Sequence, residues 1–443
     1  MLQRRHFLAM TGAAFAANAA ASRPNIVFIL LDDLGWGDLG CYRQKLIETP
    51  NIDALARESM RFTDCYAGGS VCAPSRSVLM TGLHGGHTPV RANAGTVPLR
   101  HEDFTIAEML KKTGYATGCF GKWGLGDAGS AGAATRQGFD EFFGYLHQVH
   151  AHDYWTPFLR DGEKRLELPA NSEGKRGVYS SDLIHSRALD FLRKHRSRPY
   201  FLYAAYTLPH ARLEPPDDSP YSKRDWPQLY KNYAAMVTRA DRQVGELLRA
   251  IDRENTVVFL ASDNGGEGDK VDFFHSNANF RGRKASLYEG GIRVPMIVHW
   301  PGRVRAGSIS PCAWSFCDMM PTLAEIVGVK PPDGIDGVSV LPTLLGRTQP
   351  VRSLYWEQYS FDRRTNDLRP ESLQQAARIG SWKAVRRKPE GAVELYRLDE
   401  DPGETHDVAA QHRARVEEME SYMRGAHIPP RPHNTGNMQF VVS

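Results

Sequence analysis

The chain has 443 residues, 41% of them hydrophobic, so it can bury a large core and hold more than one structural unit. Its 55 basic and 51 acidic residues leave a formal charge of +4, too near balance to point to nucleic acid or an anionic membrane surface as a partner. The six cysteines include no C-x-x-C pair, so a thiolate zinc site is not indicated. Cys312 and Cys317 are near enough to pair in an oxidising compartment, although buried free thiols fit the composition better.

From the N-terminus, Arg4-Arg5-His6-Phe7-Leu8 opens an Ala-rich apolar run to Ala17, and small residues around Ala19 to Ala21 offer a cleavage point. This pattern predicts an export signal over residues 1–21, too short for a mature transmembrane helix. Arg-Arg-x-Phe-Leu resembles a twin-arginine signal, which implies a periplasmic or secreted protein exported after folding. No later apolar stretch approaches the ~18 residues of a membrane span, so no transmembrane segment is expected. Further on, β-branched apolar runs stop at polar clusters. Residues 25–31 end at Asp32-Asp33, 115–120 at Gly121-Lys122, 200–206 near His210, 256–261 at Asp263-Asn264, and 294–300 at Pro301-Gly302. Continuous runs of this length suit parallel strands buried on both faces. Helical patterns intervene at 52–59 after Asn51 as N-cap, at 104–112 before Gly114, at 230–251 and at 318–327. The alternation predicts an α/β domain over 22–348, with a large, mostly parallel sheet flanked by helices and its site beyond the carboxyl ends of the strands. Short strands at 353–359, 376–379, 382–385 and 393–398, then a helix at 413–423, predict a C-terminal subdomain over 349–443. Residues 361–372, charged and aperiodic, read as a loop.

Residues 72–82, Cys-Ala-Pro-Ser-Arg-Ser-Val-Leu-Met-Thr-Gly, fit C-x-P-S-R-x-x-x-[LM]-T-G at every fixed position. The string resembles the signature of type I sulfatases of the alkaline phosphatase superfamily, in which the cysteine is oxidised after synthesis to formylglycine. The resemblance implies an alkaline-phosphatase-like fold, a formylglycine-generating maturation enzyme as partner, and a hydrated aldehyde at Cys72 as nucleophile. Chemistry supplies the reason. A serine attacking a sulfate ester would be left as a slowly hydrolysed sulfate ester itself. A hydrated aldehyde has two hydroxyls on one carbon, so one attacks sulfur and the other, on losing its proton, expels sulfate. Arg76 shares a helix face with Cys72 if a helix begins there, and is placed to hold the segment.

Four more blocks extend the resemblance over nearly the whole mature chain. Residues 23–33 end in Asp32 and Asp33, the position at which the family binds calcium. Adjacent carboxylates at a strand end repel unless a cation joins them, and hard oxygen donors favour calcium or magnesium. Ala261-Ser-Asp-Asn-Gly265 implies Asp263 and Asn264 as further ligands, with Cys72 in its hydrated form completing the set. Lys284, in Lys-Ala-Ser-Leu-Tyr-Glu-Gly-Gly, and Lys122, in Gly-Lys-Trp-Gly, are implied to contact sulfate oxygens. His210, just past a buried run, is suited to protonate the leaving alcohol because its pKa lies near neutrality. One position departs from the family: many sulfatases carry a histidine where this chain has Gly124. Residues 144–155 bring His147, His150 and His152 beside aromatics. They suit a sugar-binding wall or a transition-metal cluster, and His150 and His152 are the candidate substrate contacts and substitutes for the absent histidine. The expectation is a calcium-dependent formylglycine sulfatase acting on a sulfated sugar. The rivals are a phosphoester or phosphonate hydrolase with the same aldehyde and a non-catalytic glycan-binding descendant.

Overall fold

The computed structural model describes residues 23–94, 97–362, 364–365 and 367–431; the expected export signal over 1–21 lies outside them. Strand Asn25–Leu31 is buried along its whole length, because both of its faces are apolar. Ile26, Phe28 and Leu30 enter the core on one side of the sheet, while Val27, Ile29 and Leu31 enter the core on the other. Each such side chain contributes about 1.5–3 kcal/mol on burial. It pairs in parallel with Tyr200–Ala205 on one side and Thr256–Ser262 on the other, and Ala116–Lys122 joins Tyr200–Ala205 in parallel. These four form the centre of a ten-stranded sheet. Helices Cys72–Thr81, Ile106–Lys112 and Met319–Val327 cover one face, and Pro50–Arg57, Ser180–His195 and Gln228–Ala250 the other. The register sets Leu31 beside Ser262 and Gly121 beside Ala205. The residues that follow, Asp32 and Asp263 beyond their strands and Lys122 as the last of its own, therefore gather along one edge of the sheet.

Three expectations need correction. The apolar run at 294–300 forms the shorter strand Met296–His299, antiparallel to Thr256–Ser262, because the segment between them stays at the carboxyl edge and the chain must return from there. The helix expected at 52–59 begins at Pro50 after Thr49, with proline pre-setting the first turn. Asn51 is not its cap; its amide donates to Asp241 on the long helix at 2.7 Å. Strands Glu141–Tyr145, Phe158–Asp161 and Lys164–Glu167 and helix Ser180–His195 were not anticipated. The helix buries Ile184, Ala188, Phe191 and Leu192 at helical spacing, but interleaved charges dilute the pattern.

Ser353–Gln358, Gln374–Ile379, Trp382–Arg386 and Val393–Arg397 make a four-stranded antiparallel sheet. One face packs on helix Arg413–Ala426 through Met419 and Met423. The other packs Leu354, Trp356 and Val385 against Tyr66, Leu287 and Ile292. All six cysteines are free thiols. Among the described residues no helix is long and apolar enough to cross a membrane.

Candidate active site

Cys72 is the first residue of helix Cys72–Thr81, entered from extended Val71 and closed by Gly82 in the left-handed conformation. Asn93 accepts the Ala73 N–H at 2.8 Å, satisfying one donor of the first turn. The Cys72 Sγ lies 3.3 Å from Asp32 Oδ1 and 3.9 Å from Asp33 Oδ1. Burial, with the Asp263 and Asp32 carboxylates beside it, pushes the thiol pKa well above its ordinary value. A reactive cysteine needs the opposite shift, so this side chain is a poor thiolate nucleophile.

Arg76, one turn on, is buried in the same cluster rather than on a solvated helix face. Its Nε and Nη2 donate to Asp263 Oδ2 at 3.1 and 2.8 Å, and its Nη1 donates to the Lys122 carbonyl at 2.6 Å. Lys122 Nζ donates to Asp32 Oδ2 at 2.7 Å, and Lys284 Nζ to Asp33 Oδ2 at 2.6 Å. Three carboxylates are thus matched by three cations. Burial opposes ionisation of Asp32, yet Lys122, His210, Arg76 and Lys284 hold it well below the usual carboxylate range. Asp33 is likewise lowered against burial, chiefly by Lys284 and His210. Asp263 goes the other way: burial and then Asp32 push its pKa up, despite Arg76. Asp33 also takes a left-handed φ of 62°, a strained conformation that aims its N–H at Asp263 Oδ1, 3.2 Å away.

The donor set fits a hard cation. Asn264 Nδ2 donates to Asp33 Oδ1 at 2.7 Å, while Asn264 Oδ1 is buried with no hydrogen-bond partner. Exchanging the two ends of this amide, at the expense of its 3.0 Å bond to the Gly265 carbonyl, turns a carbonyl oxygen toward the carboxylate of Asp33. Such all-oxygen donors are those calcium takes. The sulfur of Cys72 is the one soft donor in the group, and an oxygen-bearing side chain there would remove the mismatch.

His210 sits at the mouth of this cluster. Its Nε2 is 3.2 Å from Lys284 Nζ and 3.4 Å from Asp33 Oδ2, while its Nδ1 contacts the Ala211 carbonyl. Beyond it opens a cavity of about 630 Å³, bordered by His150, His152, Phe158, Arg160 and Lys284 among others. The two candidate wall histidines differ. His152 stacks on His210 with ring centres 4.4 Å apart. His150 instead stacks on Phe158 at 4.2 Å and bonds to Thr156 Oγ1 at 2.8 Å. Among the described residues, His147, His150 and His152 do not converge on a shared third donor, so a transition-metal cluster there is not supported.

Three neighbours escaped sequence reasoning: Asn93 at the helix start, Glu267 3.4 Å from Lys284, and Gln148. Glu267 follows Asp263-Asn264 closely and could have been suspected; the other two carry no local signal. Gln148 explains Gly124. The glycine has φ 77°, and a Cβ there would stand 2.0 Å from Gln148 Nε2. Gly124→Ala is therefore expected to destabilise by about 1–3 kcal/mol in denaturant melts, and to remain destabilising in a Gln148→Ala background, because the φ penalty persists. A histidine at 124 would carry the same φ penalty and require Gln148 to move.

The sulfatase family profile matches residues 24–329, and a profile described as N-sulphoglucosamine sulphohydrolase, C-terminal, matches 281–425. N-acetylgalactosamine-6-sulfatase of Rattus norvegicus is 34% identical over 372 residues, 74% of this chain and 67% of that protein. Arylsulfatase G of the same organism is 33% identical over 390 residues, 76% of this chain and 71% of that one. The crystal structure of Ps i-CgsB in complex with k-i-k-neocarrahexaose aligns with a TM-score of 0.78 at 29% identity, covering 94% of this chain and 96% of that one. A phosphonate monoester hydrolase of Agrobacterium radiobacter, at 19% identity and a TM-score of 0.68, shares the fold alone. On the family profile and these relatives, the chain belongs to the sulfatase family and is a sulfuric ester hydrolase.

Proposed function

We propose that this sulfatase removes sulfate from a sulfated carbohydrate, using formylglycine made from Cys72 and calcium held by Asp32, Asp33, Asp263 and Asn264. The observation that carries this reading is the Cys72 side chain at a helix start, where burial, with the Asp263 and Asp32 carboxylates beside it, suppresses its thiolate. Formylglycine supplies a geminal diol at this point, and calcium supplies positive charge beside it. Arg76 braces Asp263 and the Lys122 carbonyl, fixing the geometry around residue 72. Asp263, whose pKa burial raises, is the carboxylate best suited to take a proton there. Lys122, buried, and Lys284, part-buried, bring two cations to this cluster to meet the sulfuryl oxygens. His210, which lines the cavity with Nε2 beside Lys284 and Asp33, is the proton donor for the leaving oxygen, with His152 stacked on its ring.

The relatives' names support a sulfated sugar: one acts on N-acetylgalactosamine-6-sulfate, and one structure holds a neocarrahexaose. A cavity of about 630 Å³ is in the ordinary range for a small-molecule site. With residues 1–21 as a twin-arginine signal, a maturation enzyme would act on Cys72 in the cytoplasm, and the folded protein would work in the periplasm or outside the cell.

The test is release of sulfate against phosphate from matched aryl esters, alongside sulfated oligosaccharides. Sulfate release should dominate; faster phosphate release would overturn the substrate class. On the same panel, His210→Ala is expected to lose about 10²–10⁴-fold on sugar sulfates and far less on a nitrophenyl sulfate, whose leaving group hardly needs an acid. Equal losses on both would remove His210 from that role.

A further inference from the structure

Among the described residues, one other group of metal-ligating side chains converges, away from Cys72. After Gly82 ends helix Cys72–Thr81, the chain turns through Leu83-His84-Gly85-Gly86-His87. A second segment crosses this turn: the N–H groups of Asp336 and Gly337 donate to the Gly82 carbonyl at 3.0 and 3.1 Å. The Asp336 carboxylate accepts the His84 backbone N–H at 2.9 Å. His87 Nδ1 lies 2.9 and 3.0 Å from the two Asp336 oxygens, and His84 Nδ1 lies 3.6 Å from Oδ2. The two imidazole rings stand 4.3 Å apart, inclined by 31°.

An ordinary ion pair accounts for His87 but not for His84. The Gly86 N–H donates to His84 Nδ1 at 3.2 Å, so this nitrogen carries no proton to give Asp336, and a cation bound there would take over the lone pair from Gly86. His84 Nδ1 therefore stands 3.6 Å from Asp336 Oδ2 with no hydrogen bond joining the two atoms. Tetrahedral bonds of about 2.0–2.1 Å place neighbouring donors about 3.3 Å apart. The two distances to Asp336, 2.9 and 3.6 Å, bracket that spacing, and all three ligand atoms lie within 4.8 Å of one another. The group also borders a cavity of about 790 Å³ shared with strand Ser353–Gln358 and helix Arg413–Ala426, which leaves room for a water as fourth ligand.

We propose that His84, His87 and Asp336 form a second metal site, for a borderline divalent cation of the zinc class, distinct from the carboxylate site at Cys72. Two imidazoles and one carboxylate suit zinc or cobalt, whereas calcium takes six to eight oxygens. A ten-residue helix spans about 15 Å. The site thus lies at the far end of the nucleophile helix, where the ion ties its last turn to the segment bearing Asp336. His84 packs edge-on against Tyr355 at 5.3 Å, which carries the contact into the C-terminal sheet.

The experiment uses tag-free full-length protein, stripped by chelator, saturated with calcium, then titrated with Zn²⁺ by calorimetry and with Co²⁺ by visible absorption. One equivalent of either ion should bind, Co²⁺ giving the intense bands of a four-coordinate site. His84→Gln and His87→Gln should each weaken binding at least tenfold, with circular dichroism showing both folded. If either variant fails to fold, Asp336→Asn is read by the same Co²⁺ spectrum and should lose the bands. No uptake by the calcium-saturated protein, or one equivalent retained in all folded variants, would overturn the site.

Discussion

Cys72→Ala is expected to abolish sulfate release, by about 10⁴-fold or more, while the melting temperature stays close to that of the parent. The side chain is buried and small, and its polar neighbours are the Asp32 and Asp33 oxygens. Losing the sulfur therefore removes little packing and leaves no new unpaired donor. The loss should be chemical. Alanine has nothing to oxidise and no atom to attack sulfur, and the raised pKa of the thiol argues that unmodified cysteine would do little better. Cys72→Ser sharpens the result in a host whose maturation enzyme accepts only cysteine: it should fold and remain inactive. Peptide mass spectrometry of the parent should find an aldehyde, or its hydrate, in place of the thiol at residue 72. Full turnover by the serine variant, or by parent protein with intact Cys72, would sink the formylglycine assignment.

Removing the divalent ion should have an effect of the same order on turnover and a visible effect on stability. Asp32, Asp33 and Asp263 are buried together, and Arg76, Lys122 and Lys284, with His210, offset their repulsion. An ion bound by the native state alone adds about 2.7 kcal/mol at a hundredfold excess over its Kd. Chelation should lower the melting temperature and stop sulfate release, and calcium alone should restore both. Asp33→Asn should mimic chelation without responding to added calcium, since it removes a ligand and also the partner of Lys284. Full activity after verified demetallation would reject the calcium site.

Much of this was legible before any tertiary structure. The runs at 25–31, 200–206 and 256–261 are largely apolar at consecutive positions, a pattern that suits strands buried on both faces, and each stops at a polar cluster. The motif at 72–82 encodes its own helix, from the cysteine at its start to the left-handed glycine at its end. The antiparallel C-terminal sheet could be read from its short strands and turn residues. The edge hairpin at 158–167 could not: half its residues face solvent, so its composition is that of a loop.

What the sequence determined by itself is local: which segments are strands or helices, which residue types end them, and which cysteine stands in a family motif. Those depend on neighbours within a few positions, where periodicity and turn chemistry act. The tertiary structure decided the rest. It turned Met296–His299 antiparallel, stacked His152 rather than His150 on His210, and put Gln148 in the space a side chain at 124 would need. It also carried Asp336 across the turn that holds His84 and His87. Each of these is set by segments tens to hundreds of residues apart meeting at one sheet edge or one helix end. That meeting is governed by how whole faces pack, and no short window of sequence contains it.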